Sequence, residues 1–115
     1  SELQSHDHVD MIGQICTIIE ELLPHRNCNV ERVAEYFSIH RFTLYRYLNK
    51  YQTNFESLLE ATRKKIAVKL LKNKKLMILE VANQVGYDDQ ANFTRAFKRW
   101  YGITPGRWRR INIHV

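Results

Sequence analysis

Two stretches of this chain spell the same pattern. Val30, Val33, Ala34 and Ser38 line up with Ile78, Val81, Ala82 and Gly86. After one extra residue in the second stretch, Leu44, Leu48 and Tyr51 line up with Phe93, Phe97 and Trp100. A second small insertion brings Asn54-Phe55 onto Thr104-Pro105. Apolar residues at steps of three and four mark one face of a helix. Each copy therefore reads as a short helix, a tight turn, a longer helix and a capped helix start, which is the helix-turn-helix unit. Two helices that cross steeply leave room only for a small side chain where they touch, and Ala34 and Ala82 occupy that place. The turn needs a residue tolerant of positive φ. Gly86 meets that need, and Ser38 meets it at a cost of up to about 1 kcal/mol.

The rest of the chain extends the same reading. Four glycines and two prolines among 115 residues, with no strand-like alternation and no linker composition, predict an all-α domain of about seven helices. Ile12, Ile15, Cys16, Ile19, Leu22 and Leu23 form a first apolar stripe that Pro24 ends. Asn29 caps a helix from about Val30 to Phe37. The next runs from about Arg41 to Tyr51. A long helix from about Phe55 to Asn73 follows, capped by Asn54, with Leu58, Leu59, Thr62, Ile66 and Leu70 inward. Gly86 ends a helix that starts at Ile78, and Gly102 ends one from about Asp89 to Tyr101. Thr104 caps a last short helix with Pro105 in its first position. The expected organisation is a flexible start or linker stub over 1–8, a first helix-turn-helix subdomain over 9–52, a linker helix and bend over 53–75, and a second helix-turn-helix subdomain over 76–115.

The formal charge of +6 is unevenly spread: residues 1–40 carry a net −5 and residues 41–115 a net +11. A concentrated basic surface attracts polyanions, nucleic acid among them. The same charge also suits an ordinary solvated face, or a helical protein-interaction module that meets an acidic partner. No apolar run reaches the roughly 18 residues that would cross a bilayer. Two cysteines make no disulfide framework, so a reducing cytosolic setting is expected.

Val81-Ala82, Gly86-Tyr87, Phe93, Phe97-Lys98 and the run Tyr101-Gly102-Ile103-Thr104-Pro105-Gly106 resemble the closing signature of the AraC/XylS family of bacterial transcription regulators. The resemblance covers roughly Gly13 to Arg110. It implies the family's C-terminal DNA-binding domain: two helix-turn-helix subdomains joined by one long linker helix, Phe55 to Asn73 here. It also implies promoter or operator DNA as partner, RNA polymerase as a further one, a sensing or dimerisation domain elsewhere in a longer chain, a role such as activator, and a place on the bacterial chromosome. The chain departs from the family pattern at His40, Ser38 and Met77, where a serine cap, a glycine and another cap are usual. Weak local structure is expected at those points.

In a helix-turn-helix protein the second helix presents its N-terminal residues to base edges in the major groove. In the first copy the face opposite Leu44 and Leu48 carries Phe42, Tyr45, Arg46 and Asn49. In the second the face opposite Phe93 and Phe97 carries Gln90, Ala91, Thr94, Arg95 and Lys98. Arginine bonds O6 and N7 of guanine, and glutamine or asparagine bonds N6 and N7 of adenine. Arg46 and Arg95 suit the first task, Gln90 or Asn92 the second, and Phe42 or Ala91 can touch a thymine methyl. The resemblance points to Phe42, Tyr45, Arg46, Gln90, Ala91, Thr94 and Arg95 as base readers. Lys50, Lys74, Lys75, Lys98 and Arg99 are expected at phosphates, which add affinity without reading sequence. Phe42 and Tyr45 could instead be partly buried.

Chemistry of other kinds finds little support. His6-Asp7-His8 is a poor metal site in a polar tail, and His25 and Cys28 are too few ligands for zinc. Cys16 falls on an apolar stripe and is expected in the core. No Gly-rich phosphate loop, carboxylate pair or nucleophile elbow occurs, so neither an enzyme nor a cofactor is expected.

Overall fold

The structure is a computed structural model that describes the backbone of residues 5–113 and the side chains of residues 11–113. Among the described residues it is all helix: α1 Ser5–Leu22, α2 Val30–Tyr36, α3 Arg41–Lys50, α4 Phe55–Leu71, α5 Ile78–Gln84, α6 Gln90–Tyr101 and α7 Pro105–Asn112, with one 3-10 turn at Leu23–His25. Residues 1–4 of the expected flexible start lie outside the described residues. From Ser5 the backbone is already helical. Nothing in Ser5–His8 breaks a helix, so the apolar segment behind it carries the helix back through this polar stretch.

The chain divides into two compact units, with the boundary between Thr62 and Arg63, inside the continuous helix α4. In the first unit α2 packs on α1 and on α3. Its core holds Ile15, Ile19, Leu22, Leu23, Val33, Ala34, Leu44 and Leu48, all buried, with Phe55, Leu59 and Thr62 from the start of α4. The buried Thr62 hydroxyl donates to the Leu58 carbonyl at 2.7 Å, which removes the cost of an unpaired polar group. Cys16 is only half-buried.

In the second unit α6 packs on α5 and α7. Ala67 and Leu71 of α4 join Val81, Ala82, Val85, Phe93 and Phe97 in one core, and Trp100 and Trp108 pack against it. Phe97 lies 5.9 Å from Phe93 and 6.3 Å from Trp108, ring centre to ring centre. The inward stripe of α4 is wider than the expected one: Leu59 and Thr62 are buried as expected, and Ile66 and Leu70 pack against the second core. Ala67 and Leu71 are fully buried, whereas Leu58, Ile66 and Leu70 are half-buried. A 17-residue helix that serves two cores in turn cannot be read as one straight stripe.

The turns explain both copies. Ser38 has φ 55° and Gly86 φ 100°, so both turns take the left-handed conformation that the repeat demands. Tyr87 N–H donates to the Ala82 carbonyl at 2.9 Å, and Ile39 N–H to the Ala34 carbonyl at 3.2 Å, closing equivalent loops in the two units. The departures from the family pattern find substitutes. His40 Nδ1 accepts from the Phe42 N–H at 3.2 Å and caps α3 as a serine would. Met77 cannot cap in that way, but Glu80 reaches back and accepts from the Met77 N–H at 2.7 Å.

Candidate nucleic-acid interface

Helix α6 begins at a strong cap. Asp89 Oδ1 accepts from the Asn92 N–H at 2.7 Å, and its charge complements the positive end of the helix. With Phe93, Ala96 and Phe97 buried, the opposite side must face outward. Gln90, Ala91, Asn92, Arg95, Lys98 and Arg99 are exposed there, and Thr94 is half-buried. Arg95 Nη2 donates to Asn92 Oδ1. The predicted base-reading residues of the second copy therefore share one accessible face of one helix.

Helix α3 repeats the arrangement in the first unit. Leu44 and Leu48 are fully buried, and Phe42, Tyr45, Arg46 and Asn49 are exposed. Phe42 is 51% and Tyr45 43% accessible, so each ring is about half covered and half open to solvent. Large aromatic rings left in water next to arginines are a costly surface unless something covers them. Phe42 is fixed from two sides: the His40 ring stacks on it at 5.0 Å, and the Arg41 guanidinium lies 5.0 Å from its ring centre. Arg46 Nη2 donates to Thr43 Oγ1 at 3.4 Å, a long contact.

An ion pair that sequence reasoning missed pins α3 to α2. Arg41 Nη1 lies 2.7 Å from Glu31 Oε2. The hydrogen bond from Arg41 holds the Glu31 carboxyl below the usual carboxylate range. Farther along α3 burial pushes the Tyr47 hydroxyl above the usual tyrosine range.

The predicted phosphate contacts scatter more widely. Lys50 is exposed in the last turn of α3, with its ammonium 5.8 Å from the Tyr51 ring. Lys74 and Lys75 are exposed in the bend between α4 and α5, where Asn73 Oδ1 accepts from the Lys75 N–H at 3.0 Å. Arg109, which no sequence pattern singled out, shapes that bend. Its guanidinium donates to the carbonyls of Leu71 at 2.9 Å, Leu76 at 2.8 Å and Asn73 at 3.3 Å. The first is a carbonyl that the end of α4 leaves open, and the other two belong to the bend itself. Only the folded chain brings Arg109 to them across 38 positions of sequence.

The side chains of His6, Asp7 and His8 lie outside the described residues. Among the described residues no cluster of His, Cys, Asp or Glu could hold a metal, and no helix is long and apolar enough to cross a membrane.

Repeated short helix, left-handed turn and exposed second helix define a helix-turn-helix protein, and a helix-turn-helix domain family model matches residues 33–111. The chain belongs to the AraC-type family of helix-turn-helix, DNA-binding transcription regulators. It is 40% identical over 78 residues to an uncharacterized HTH-type transcriptional regulator of Mycobacterium tuberculosis, covering 68% of this chain and 23% of that protein. It is similar in structure to the C-terminal domain of AraT, a response regulator from Geobacillus stearothermophilus, with TM-score 0.79 and 28% identity over 100% of this chain and 92% of that one. A DNA-binding transcriptional dual regulator from Escherichia coli K-12 gives TM-score 0.79 and 26% identity, over 87% of this chain and 89% of that one. The chain spans about a quarter of the length of the curated relatives that it matches. The family is one of regulators rather than enzymes.

Proposed function

We propose that this chain binds double-stranded DNA sequence-specifically, with α3 and α6 entering successive segments of the major groove. The observation that carries the reading is the equivalence of the two exposed faces. Arg46 and Arg95 each stand six residues after the cap of their helix, at His40 and Asp89, and both are exposed. An arginine so placed can pair with O6 and N7 of a guanine. Phe42 and Ala91 supply apolar contact for a thymine methyl, Gln90 suits an adenine, and Tyr45 and Thr94 complete the two faces. Lys50, Lys74, Lys75, Lys98 and Arg99 serve phosphates. The target is long and asymmetric, because the two copies share the arginine and differ at the positions of Phe42/Ala91 and Tyr45/Thr94. In a longer chain, a sensing or dimerisation domain and RNA polymerase are the further partners of this reading.

Selection of bound duplexes from a random library tests it. Two enriched blocks are expected, with centres about 10 base pairs, one helical turn, apart. Selected duplex should outcompete random duplex at moderate salt, with heparin competing only in part. A library that returns no enriched sequence, or complete competition by heparin, would sink the reading in favour of a basic surface for an acidic protein.

A further inference from the structure

Asn92 stands between the cap of α6 and Arg95, and its amide is engaged on both sides. Its backbone N–H donates to Asp89 Oδ1 at 2.7 Å, and its side-chain Nδ2 donates to Asp89 Oδ2 at 3.0 Å. Its Oδ1 accepts from Arg95 Nη2. The amide satisfies both neighbours only this way round. Turned over, it would set its oxygen against a carboxylate and its N–H against a guanidinium. Asp89 therefore sets the polarity of Asn92, and Asn92 in turn offers Arg95 an acceptor. A free arginine side chain samples many rotamers in water. Here one of its five N–H groups is held, and the rest of the fork stays open to a base edge.

The first copy repeats the spacing without the anchor. His40, Thr43 and Arg46 stand at the same intervals as Asp89, Asn92 and Arg95. Arg46 reaches Thr43 Oγ1 only at 3.4 Å, and the capping atom of His40 is turned to the Phe42 N–H. The acceptor is present, but no carboxylate stands behind it.

We propose that Asn92 is a positioning residue for DNA reading: anchored by Asp89, it holds the Arg95 guanidinium in the posture that meets a guanine. The proposal rests on the reading of Arg95 as a base contact. It also removes Asn92 from the adenine readers, because both ends of its amide face along the helix, toward Asp89 and Arg95.

The test uses this chain with Asn92→Ala, Asn92→Thr, Arg95→Ala and the double variant Asn92→Ala/Arg95→Ala. Alanine favours a helix, so the fold should hold, as a thermal melt would show. Two quantities are read: the order of the Arg95 Nε–H vector in the free protein by NMR relaxation, and base preference at each position of the selected duplex. Asn92→Ala should lower that order. It should also weaken the preference at the base pair that Arg95→Ala relaxes, by roughly 3- to 10-fold, the size expected when one long side chain is no longer ordered in advance. It should leave the other positions alone and add nothing in the double variant. Asn92→Thr should restore most of the preference, since a hydroxyl can donate to Asp89 while accepting from Arg95. Unchanged Arg95 order in Asn92→Ala overturns the proposal, as does a loss that persists when Arg95 is already gone. If Arg95→Ala relaxes a base and Asn92→Ala does not, the proposal alone fails. If Arg95→Ala relaxes none, the reading of the interface fails with it.

Discussion

The two helix-turn-helix copies share a frame and differ in how tightly it is held. The second has glycine in its turn, an aspartate cap, paired phenylalanines in its core and an arginine tied through Asn92 to that cap. The first has serine at φ 55°, an imidazole cap, leucines in its core and an arginine that reaches Thr43 at 3.4 Å. It compensates with an ion pair, Glu31 to Arg41, at a place where the second copy has Leu79 and Gln90. It also leaves two aromatic rings in water on its outward face. One fold can thus present a polar face on one helix and a broad aromatic surface on another.

The largest effect that would probe this contrast lies in the cores. Phe97→Ala should cost about 3–5 kcal/mol, and Leu48→Ala about 2–5 kcal/mol. Both tryptophans, Trp100 and Trp108, fall in the second unit, so their fluorescence reports that unit while far-UV circular dichroism reports all helices. Leu48→Ala should move the dichroism transition more than the fluorescence transition. Coincident shifts would show that the units unfold together and would erase the distinction in stability.

Base reading comes next in size. Arg95→Ala should weaken specific binding by about 1–3 kcal/mol and relax one base position. Arg46→Ala should cost less, because its side chain is held less firmly in the free protein. Equal losses in a binding-selection assay would mean that bracing before contact does not matter. Lys75→Ala should lower affinity for every sequence alike and flatten the plot of log K against log salt by roughly one charge. A slope that stayed as steep would remove Lys75 from the phosphate contacts.

Backbone strain gives a smaller signal. Ser38→Gly should stabilise the first unit by up to about 1 kcal/mol, since only that copy pays for a side chain at positive φ. A melting temperature that fell instead would mean that chain entropy in the unfolded state outweighs the strain. The smallest effect is acid sensitivity. Glu31 has its folded value lowered by Arg41, so its contribution is present above the ordinary carboxylate value and is lost as pH falls through the lowered one. The melting temperatures of the chain and of Glu31→Gln should differ at neutral pH and converge in acid. A gap that stayed constant with pH would show that the ion pair contributes nothing.

Much of the architecture was legible before any coordinates. The offsets of Val33, Ala34, Leu44 and Leu48 against Val81, Ala82, Phe93 and Phe97 suffice to place four helices and two turns, because the helical period fixes which residues face inward. The outward faces of α3 and α6 follow by subtraction. What escaped was anything that depends on which of two cores a residue joins. Ala67 and Leu71 are fully buried for that reason, while the expected Ile66 and Leu70 pack against the same core only partly buried. Hydrogen-bond partners escaped too. Asp89, Asn92 and Arg95 sit in plain view at steps of three, yet spacing alone does not say which way an amide is turned.

By itself, then, the amino-acid order determined that the chain is helical, that its middle and end repeat one unit, and which sides of α3 and α6 meet water. Those properties rest on local periodicity and on the few residues that tolerate a left-handed turn. Tertiary structure decided that α4 divides its buried residues between two cores and that Arg109 gathers three carbonyls from a bend far back in the chain. Hydrogen bonds are short-range and directional, so their pairing is settled only when folding has brought donor and acceptor within reach.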